Sequence, residues 1–387
     1  MRPHFTWLTT ALLTLLAASS CGPKNSKTNV DAAAIQAQLD SMTLREKVGQ
    51  LFCVRPEAFD VALEWDTYSK LASYQVQEVN EQMEKVNQVY PVGGIILFAH
   101  NIKDEEQLST FQSKLKAFNG EPLLYVDEEG GSVARIGNNS NFQVQRFESM
   151  GAIGATGDPQ NAFNCGNVIG QYLKHYGFDV DLAPVADVNT NPKNPVIGKR
   201  AFSSDPQLAA QMVVSYMKGL EEAGIASCLK HFPGHGDTNA DTHYGYAQTL
   251  KNWEEIDACE MVTFKAGIKA GAPMIMTAHI AVPAVTGSEI PSTLSPVILT
   301  EKLRGELGFN GIIITDGMAM GAITREYDSA TAAVLALQAG ADIILGPKVF
   351  TEAFDGVLKA VEEGALTEER IDESVRRVLT LKASLKN

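Results

Sequence analysis

The chain of 387 residues has no excess of basic charge: 32 Lys and Arg stand against 46 Asp and Glu, a formal charge of −14. Nucleic acid is held through clustered basic surface, and so acidic a chain lacks that footprint. It also lacks the charge to adhere to an anionic bilayer. No apolar run reaches the roughly 20 residues needed to span a membrane. Cysteine is scarce, at five residues. Four of them, Cys53, Cys165, Cys228 and Cys259, are scattered without a CxxC pair, so they read as small apolar residues and name no disulfide. There is no low-complexity tract, and 45% hydrophobic against 20% charged residues is the balance of a folded globular protein. The expected partner is neutral or small, with no nucleic acid.

The first residues have a pattern of their own. Arg2 gives a short basic start, residues 7–16 (WLTTALLTLL) are largely apolar, and Ala17-Ala18-Ser19-Ser20 lead into Cys21. This reads as a cleaved export signal over residues 1–20, and Cys21 after small residues resembles a bacterial lipoprotein box. The expectation is an exported protein, anchored to a membrane by a lipid on Cys21 alone, on the periplasmic or cell-surface side. Residues 22–31 (GPKNSKTNVD) are polar and suit a tether.

From residue 32 onward, short apolar runs alternate with longer amphipathic stretches. Strands are expected at 50–54, 94–98, 123–127, 179–184, 226–231, 274–279, 312–316 and 341–345, the last stopped by Gly346-Pro347. Several are apolar throughout, as strands buried on both faces should be. Helical patterns lie between them, as at 71–90 and 207–223, and Thr43 to Glu46 has capping-box spacing. Eight strands alternating with helices predict an α/β fold, a (β/α)8 TIM-type barrel forming a single catalytic domain over 32–387. An open doubly wound sheet is the other fold this alternation permits. Residues 366–381 carry Ile371, Val375, Val378 and Leu381 at helical spacing and should pack back on the barrel. Catalytic groups are then expected from the barrel itself.

Polar residues gather where these strands end. Asp127-Glu128-Glu129 ends the third, Asp187 and Asn189 follow the fourth, Lys230-His231 end the fifth, His279 the sixth and Asp316 the seventh. A single one could be a turn residue; five strands ending so describe the active face of a barrel. Residues 230–243 (KHFPGHGDTNADTH) hold three histidines and two aspartates. They could be ligands of a hydrolytic metal, acid/base machinery in which Asp241 orients His243, or a solvated glycine-rich loop. Asp316 follows a β-branched run and is rigidly placed, as a nucleophile requires, although the position also suits a helix N-cap.

Together the stretches MTLREKVGQLF, GGIILF, VDEEGG, DLAPVADVNTNPKNPVIGKRAF, KHFPGHGDTNADTH, MTAHI, ITDGMAM and RIDESVRRVL resemble glycoside hydrolase family 3, in its β-N-acetylglucosaminidase (β-hexosaminidase) branch. The resemblance covers nearly all of residues 40–382. It implies that Asp316 is the nucleophile and His243 the acid/base with Asp241 as its partner. It further implies that Asp127, Arg135, Arg200, Lys230 and His231 bind the sugar, and that no metal or other cofactor is needed. Two positions depart from the pattern: Glu128 stands where the family often has Gln, and Ser132 where it often has Arg. The function implied is retaining exo-hydrolysis of terminal β-linked N-acetylhexosamine from cell-wall fragments or chitin-like oligosaccharides. A metal-dependent hydrolase built on the histidines of 231–243, and a non-catalytic sugar-binding lipoprotein, are the alternatives.

Overall fold

The computed structural model describes residues 31–60, 75–238 and 247–386. The expected signal, Cys21 and most of the tether lie outside them, as do Asp241 and His243. Eight parallel strands run through the molecule: β1 (Phe52–Val54), β2 (Gly94–Leu97), β3 (Leu123–Val126), β4 (Val180–Asp181), β5 (Ala226–Phe232), β6 (Met274–Thr277), β7 (Ile312–Ile314) and β8 (Ile344–Leu345). Each lies where an apolar run predicts it. Their spatial order is β7-β6-β5-β4-β3-β2-β1-β8. A parallel bridge between Ile314 and Ile343 joins the two ends of that order, and Ile343 donates its N–H to the Ile313 carbonyl at 3.1 Å. The sheet is therefore a closed barrel, and the open doubly wound alternative is excluded. β4 is shorter than its run because Pro184 brings no N–H to the ladder. The chain nevertheless stays alongside β5, with Val185 bridging Lys230.

Helices α1 (Ala32–Ser41) and α2 (Leu44–Gln50) precede the barrel. Asp31, at the end of the expected tether, caps α1 by accepting from Ala33 and Ala34. Thr43 and Glu46 form the capping box foreseen for α2. The strands are followed in turn by α3 (Glu81–Val89), α4 (Glu105–Lys116), α5 (Pro159–His175), α6 (Pro206–Glu222), α7 (Glu260–Lys269), the π-helical α8 (Val297–Glu306), α9 (Ser329–Ala339) and α10 (Phe350–Glu362). An Asp-Pro pair starts both α5 and α6, the aspartate as N-cap and the proline in the first turn. These two helices approach closely because Gly166 carries no side chain: a Cβ there would collide with the Tyr216 carbonyl.

Strand side chains alternate between two clusters. Cys53, Ile96, Tyr125, Cys228, Met274, Met276, Ile312 and Ile314 fill the barrel interior. Their neighbours Phe52, Ile95, Leu97, Leu124, Leu229, Ile275 and Ile313 pack outward under the helices. The last helix, α11 (Glu368–Lys386), adds Val378, Leu381 and Leu385 to the interior cluster, so it closes the end of the barrel where the strands begin. Its Lys382 ammonium reaches the Gln50 side chain and the Gly120 carbonyl, each at 2.7 Å. Cys53, Cys165 and Cys228 are buried and Cys259 half-buried, all four as free thiols. No helix of the described residues is long and apolar enough to cross a membrane.

Candidate active site

The alternation that builds the interior also aims the site. Tyr125, Cys228 and Ile314 point inward, so Asp127, Lys230 and Asp316, each two residues further on, point inward above them. They line one cavity of about 420 Å³, together with Glu129, Arg200 and His231. That volume is in the range of small-molecule sites.

Lys230 is buried and stands at the centre of an ionic network. Its ammonium lies 2.9 Å from Asp127 and 2.6 Å from Glu129. Arg200 grips Glu129 with a two-pronged contact, Nε to Oε2 at 2.8 Å and Nη2 to Oε1 at 2.7 Å. Arg135 reaches the other oxygen of Asp127 at 3.3 Å. Burial alone would raise the carboxyl pKa values. For Asp127 the charges of Lys230 and Arg135 outweigh it, and for Glu129 those of Arg200 and Lys230 do, so both carboxyls ionise below their ordinary range. The same partners outweigh burial at Lys230 and hold its pKa up.

His231 is oriented from behind. Its Nδ1 meets the buried Asp187 carboxylate at 2.7 Å. An ionised carboxylate only accepts, so Nδ1 carries the proton. Nε2 is then left facing the Arg200 guanidinium, 3.4 Å away. Asp187 also accepts from the backbone N–H of His231 and, at 2.6 Å, of His235. Burial pushes its pKa up, but His231 outweighs that and the carboxyl stays below its ordinary value.

Asp316 is no helix cap: the short helix Gly321–Thr324 that follows starts after Met320. Its Oδ1 accepts from the Gly317 N–H at 2.7 Å. Burial works against its charge, but His279, His231 and that N–H together hold its pKa below the usual carboxylate value. His279, fully buried, bonds to the Thr293 hydroxyl through Nδ1 at 2.8 Å and to the Gly317 carbonyl through Nε2 at 3.0 Å. It thereby fixes the turn that presents Asp316.

The five predicted sugar-binding side chains and Asp316 thus meet in one cavity. Asp241 and His243 fall outside the described residues. Two residues had no role assigned from sequence. Glu129 links Lys230 to Arg200, and its signal was its parity with Asp127. Asp187 orients His231 across the gap between two strands, a contact no linear pattern reveals. Glu128 faces away from the cavity. It is buried and accepts from the backbone N–H of Arg135 at 2.5 Å, Ile136 at 2.9 Å and Gly137 at 2.7 Å, and from the Tyr172 hydroxyl at 2.8 Å. The acid that departs from the family pattern therefore ties down the turn bearing Arg135. His235 bonds Thr238 through Nδ1 at 2.6 Å, and burial pushes its pKa down. Among the described residues, no group of three or more His, Cys, Asp or Glu is placed to hold a metal ion.

Known proteins are similar to this chain in sequence and in fold. Beta-hexosaminidase A of Pseudoalteromonas piscicida is 35% identical over 325 residues, covering 76% of this chain and 54% of that protein. A beta-hexosaminidase of Stenotrophomonas maltophilia is 36% identical over 274 residues, covering 69% and 80%. The solved structure of a glycoside hydrolase family 3 beta-N-acetylglucosaminidase from Paenibacillus sp. superposes with a TM-score of 0.81 at 35% identity, covering 89% of this chain and 63% of that one. The chain thus spans about half the length of the Pseudoalteromonas relative and under two thirds of the Paenibacillus chain. Residues 43–381 match the glycosyl hydrolase family 3 N-terminal domain, and the chain belongs to that family.

Proposed function

We propose that the protein is a retaining exo-β-N-acetylglucosaminidase that removes terminal β-linked N-acetylhexosamine from a glycan. The observation that carries this reading is Asp316, ionised and rigidly held, in one cavity with the Asp127–Lys230–Glu129–Arg200 network. A sugar offers hydroxyls that both donate and accept. A network of carboxylates beside cations meets both needs. Asp127, Arg135, Arg200, Lys230 and His231 are the sugar-binding side chains.

Asp316 attacks the anomeric carbon. The glycosidic C–O bond breaks, and the leaving oxygen takes a proton from His243, which Asp241 orients. A covalent glycosyl-enzyme results. Water then attacks the same carbon, gives its proton to His243, and the bond to Asp316 breaks with net retention. No metal takes part in this scheme. The relatives' names support the N-acetylhexosamine specificity; cell-wall fragments and chitin-like oligosaccharides both present such ends.

The test is turnover of an aryl β-N-acetylglucosaminide beside the matching aryl β-glucoside, with and without a chelator. The expected result is chelator-insensitive release from the N-acetyl substrate. Chelator-dependent turnover would favour the metal-dependent alternative, and absence of turnover the non-catalytic one. The leader supports export and a lipid on Cys21. Cys21→Ser should move the protein from the membrane fraction to the soluble one, and an unchanged distribution would count against the anchor.

A further inference from the structure

The sugar network makes no use of His235, although this residue lines the Asp316 cavity. We infer that His235 accepts, through Nε2, a hydrogen bond from the amide N–H of the sugar's N-acetyl group, and so selects an N-acetylhexosamine over a hexose that lacks the amide. The inference rests on the reading of the substrate as an N-acetylhexosaminide.

Many contacts fix this one ring. The His235 N–H donates to the buried Asp187 carboxylate at 2.6 Å. Its carbonyl accepts from the Asn194 side chain at 2.8 Å and from the Thr238 hydroxyl at 2.9 Å. A glycine stands on either side: Gly234 has φ +120°, and at Gly236 a Cβ would collide with the Val188 carbonyl. The Thr238 hydroxyl has one proton. With that proton given to the His235 carbonyl, Oγ1 accepts from Nδ1–H across 2.6 Å. Nε2 is then a bare acceptor. Burial keeps the ring neutral by pushing its pKa down against the pull of Asp187 and Asp316.

That acceptor is buried and has no hydrogen-bond partner among the described residues. Buried polar atoms in native proteins are generally paired, and an orphan calls for an explanation. Thr238 is no part of the cavity wall, so Nδ1 is tied on the side away from the cavity and Nε2 is left for a ligand within it. Among the described side chains of the wall, the other acceptors are engaged. Asp127 faces Lys230 with one oxygen and Arg135 with the other. Both oxygens of Glu129 accept from Arg200, which also faces His231 Nε2. Asp316 is the nucleophile. Carboxylates paired with cations suit hydroxyls, which donate and accept. An amide N–H only donates, and it sits on the carbon next to the anomeric carbon that Asp316 must face. His235 is the acceptor left for it.

The experiment compares two aryl β-glycosides with the same leaving group. One is the N-acetylglucosaminide; the other is its isostere, in which CH₂ replaces the amide N–H and the acetyl carbonyl stays. The quantity read is kcat/KM for the parent, His235→Ala and His235→Gln. His235→Ala should lose about tenfold on the N-acetyl substrate, the worth of one hydrogen bond, and stay within about twofold of the parent on the isostere. His235→Gln, whose Oε1 can stand near the place of Nε2, should restore part of the loss. Equal losses on both substrates would mean that His235 shapes the cavity or donates to the acetyl carbonyl, and would overturn the inference. No loss on either would do the same. If His235→Ala fails to fold, His235→Leu beside His235→Gln gives the same comparison. A parent that does not prefer the amide to the isostere would overturn the inference without any variant. Absence of turnover of the N-acetyl substrate by the parent would fail the substrate reading itself, whereas parent turnover beside a non-selective His235→Ala would fail only the role of His235.

Discussion

Glu128 shows how one buried acid can serve a neighbouring site without entering it. Four donors converge on its carboxylate, two on each oxygen. A glutamine, the residue usual in the related pattern, would turn an NH₂ group toward two of them and leave buried donors unpaired. Glu128→Gln should therefore cost about 1–3 kcal/mol, seen as a lower urea midpoint. Because the turn it holds carries Arg135, KM should rise more than kcat falls. An unchanged midpoint would mean the turn is held by other bonds. The residue scale is also where sequence reading was most uneven. Asp127, Lys230, His231 and Asp316 were legible as residues of one face because each stands where a strand ends, whereas Arg135 and Arg200 were named only through the family resemblance; all six line the cavity. Glu129 and Asp187 were not assigned, since their partners Arg200 and His231 lie 71 and 44 residues away along the chain. Glu128 adjoins Asp127 in sequence, but neighbours on a strand face opposite ways, and only Asp127 lines the cavity.

Among the elements, α11 carries the most unusual group. Burial pushes the Lys382 pKa down to about 7 from its ordinary 10.5. A neutral amine keeps two N–H bonds, enough for the Gln50 side chain and the Gly120 carbonyl it touches. Between those two pH values the unfolded chain binds the proton that the folded one has lost. Stability from this group therefore rises as pH goes from about 7 toward 10.5 and is flat below. Relative to Lys382→Met, the parent should gain in denaturant midpoint as pH increases through that window. A difference independent of pH would show that Lys382 stays charged in the fold. The element scale was the most legible in the sequence. All eight strand positions followed from apolar runs, and α11 from the spacing of Ile371, Val375 and Val378. Strand lengths were less so, because Pro184 interrupts the ladder of β4.

At the scale of the whole molecule, alternation of strand and helix left two topologies open. What separates them is the strand order, which runs in sequence from β1 to β7 with no reversal, and the pairing of Ile314 with Ile343, which brings the two ends of that order together. Closure of this kind depends on strand tilt and register, which a hydrophobic pattern does not encode. It has a functional consequence. A closed ring gathers the ends of β3, β5 and β7 over one interior, so that Asp127, Lys230 and Asp316 share a cavity; in an open sheet they would be spread along an edge. The account stands on Asp316 forming a covalent bond to the sugar in that cavity. Peptide mapping by mass spectrometry after reaction with an activated fluorosugar of the N-acetylglucosamine series tests it most directly. The predicted result is a single glycosylated peptide modified at Asp316. Modification at another residue, or continued turnover of the fluorosugar with no label and an inverted product, would contradict it.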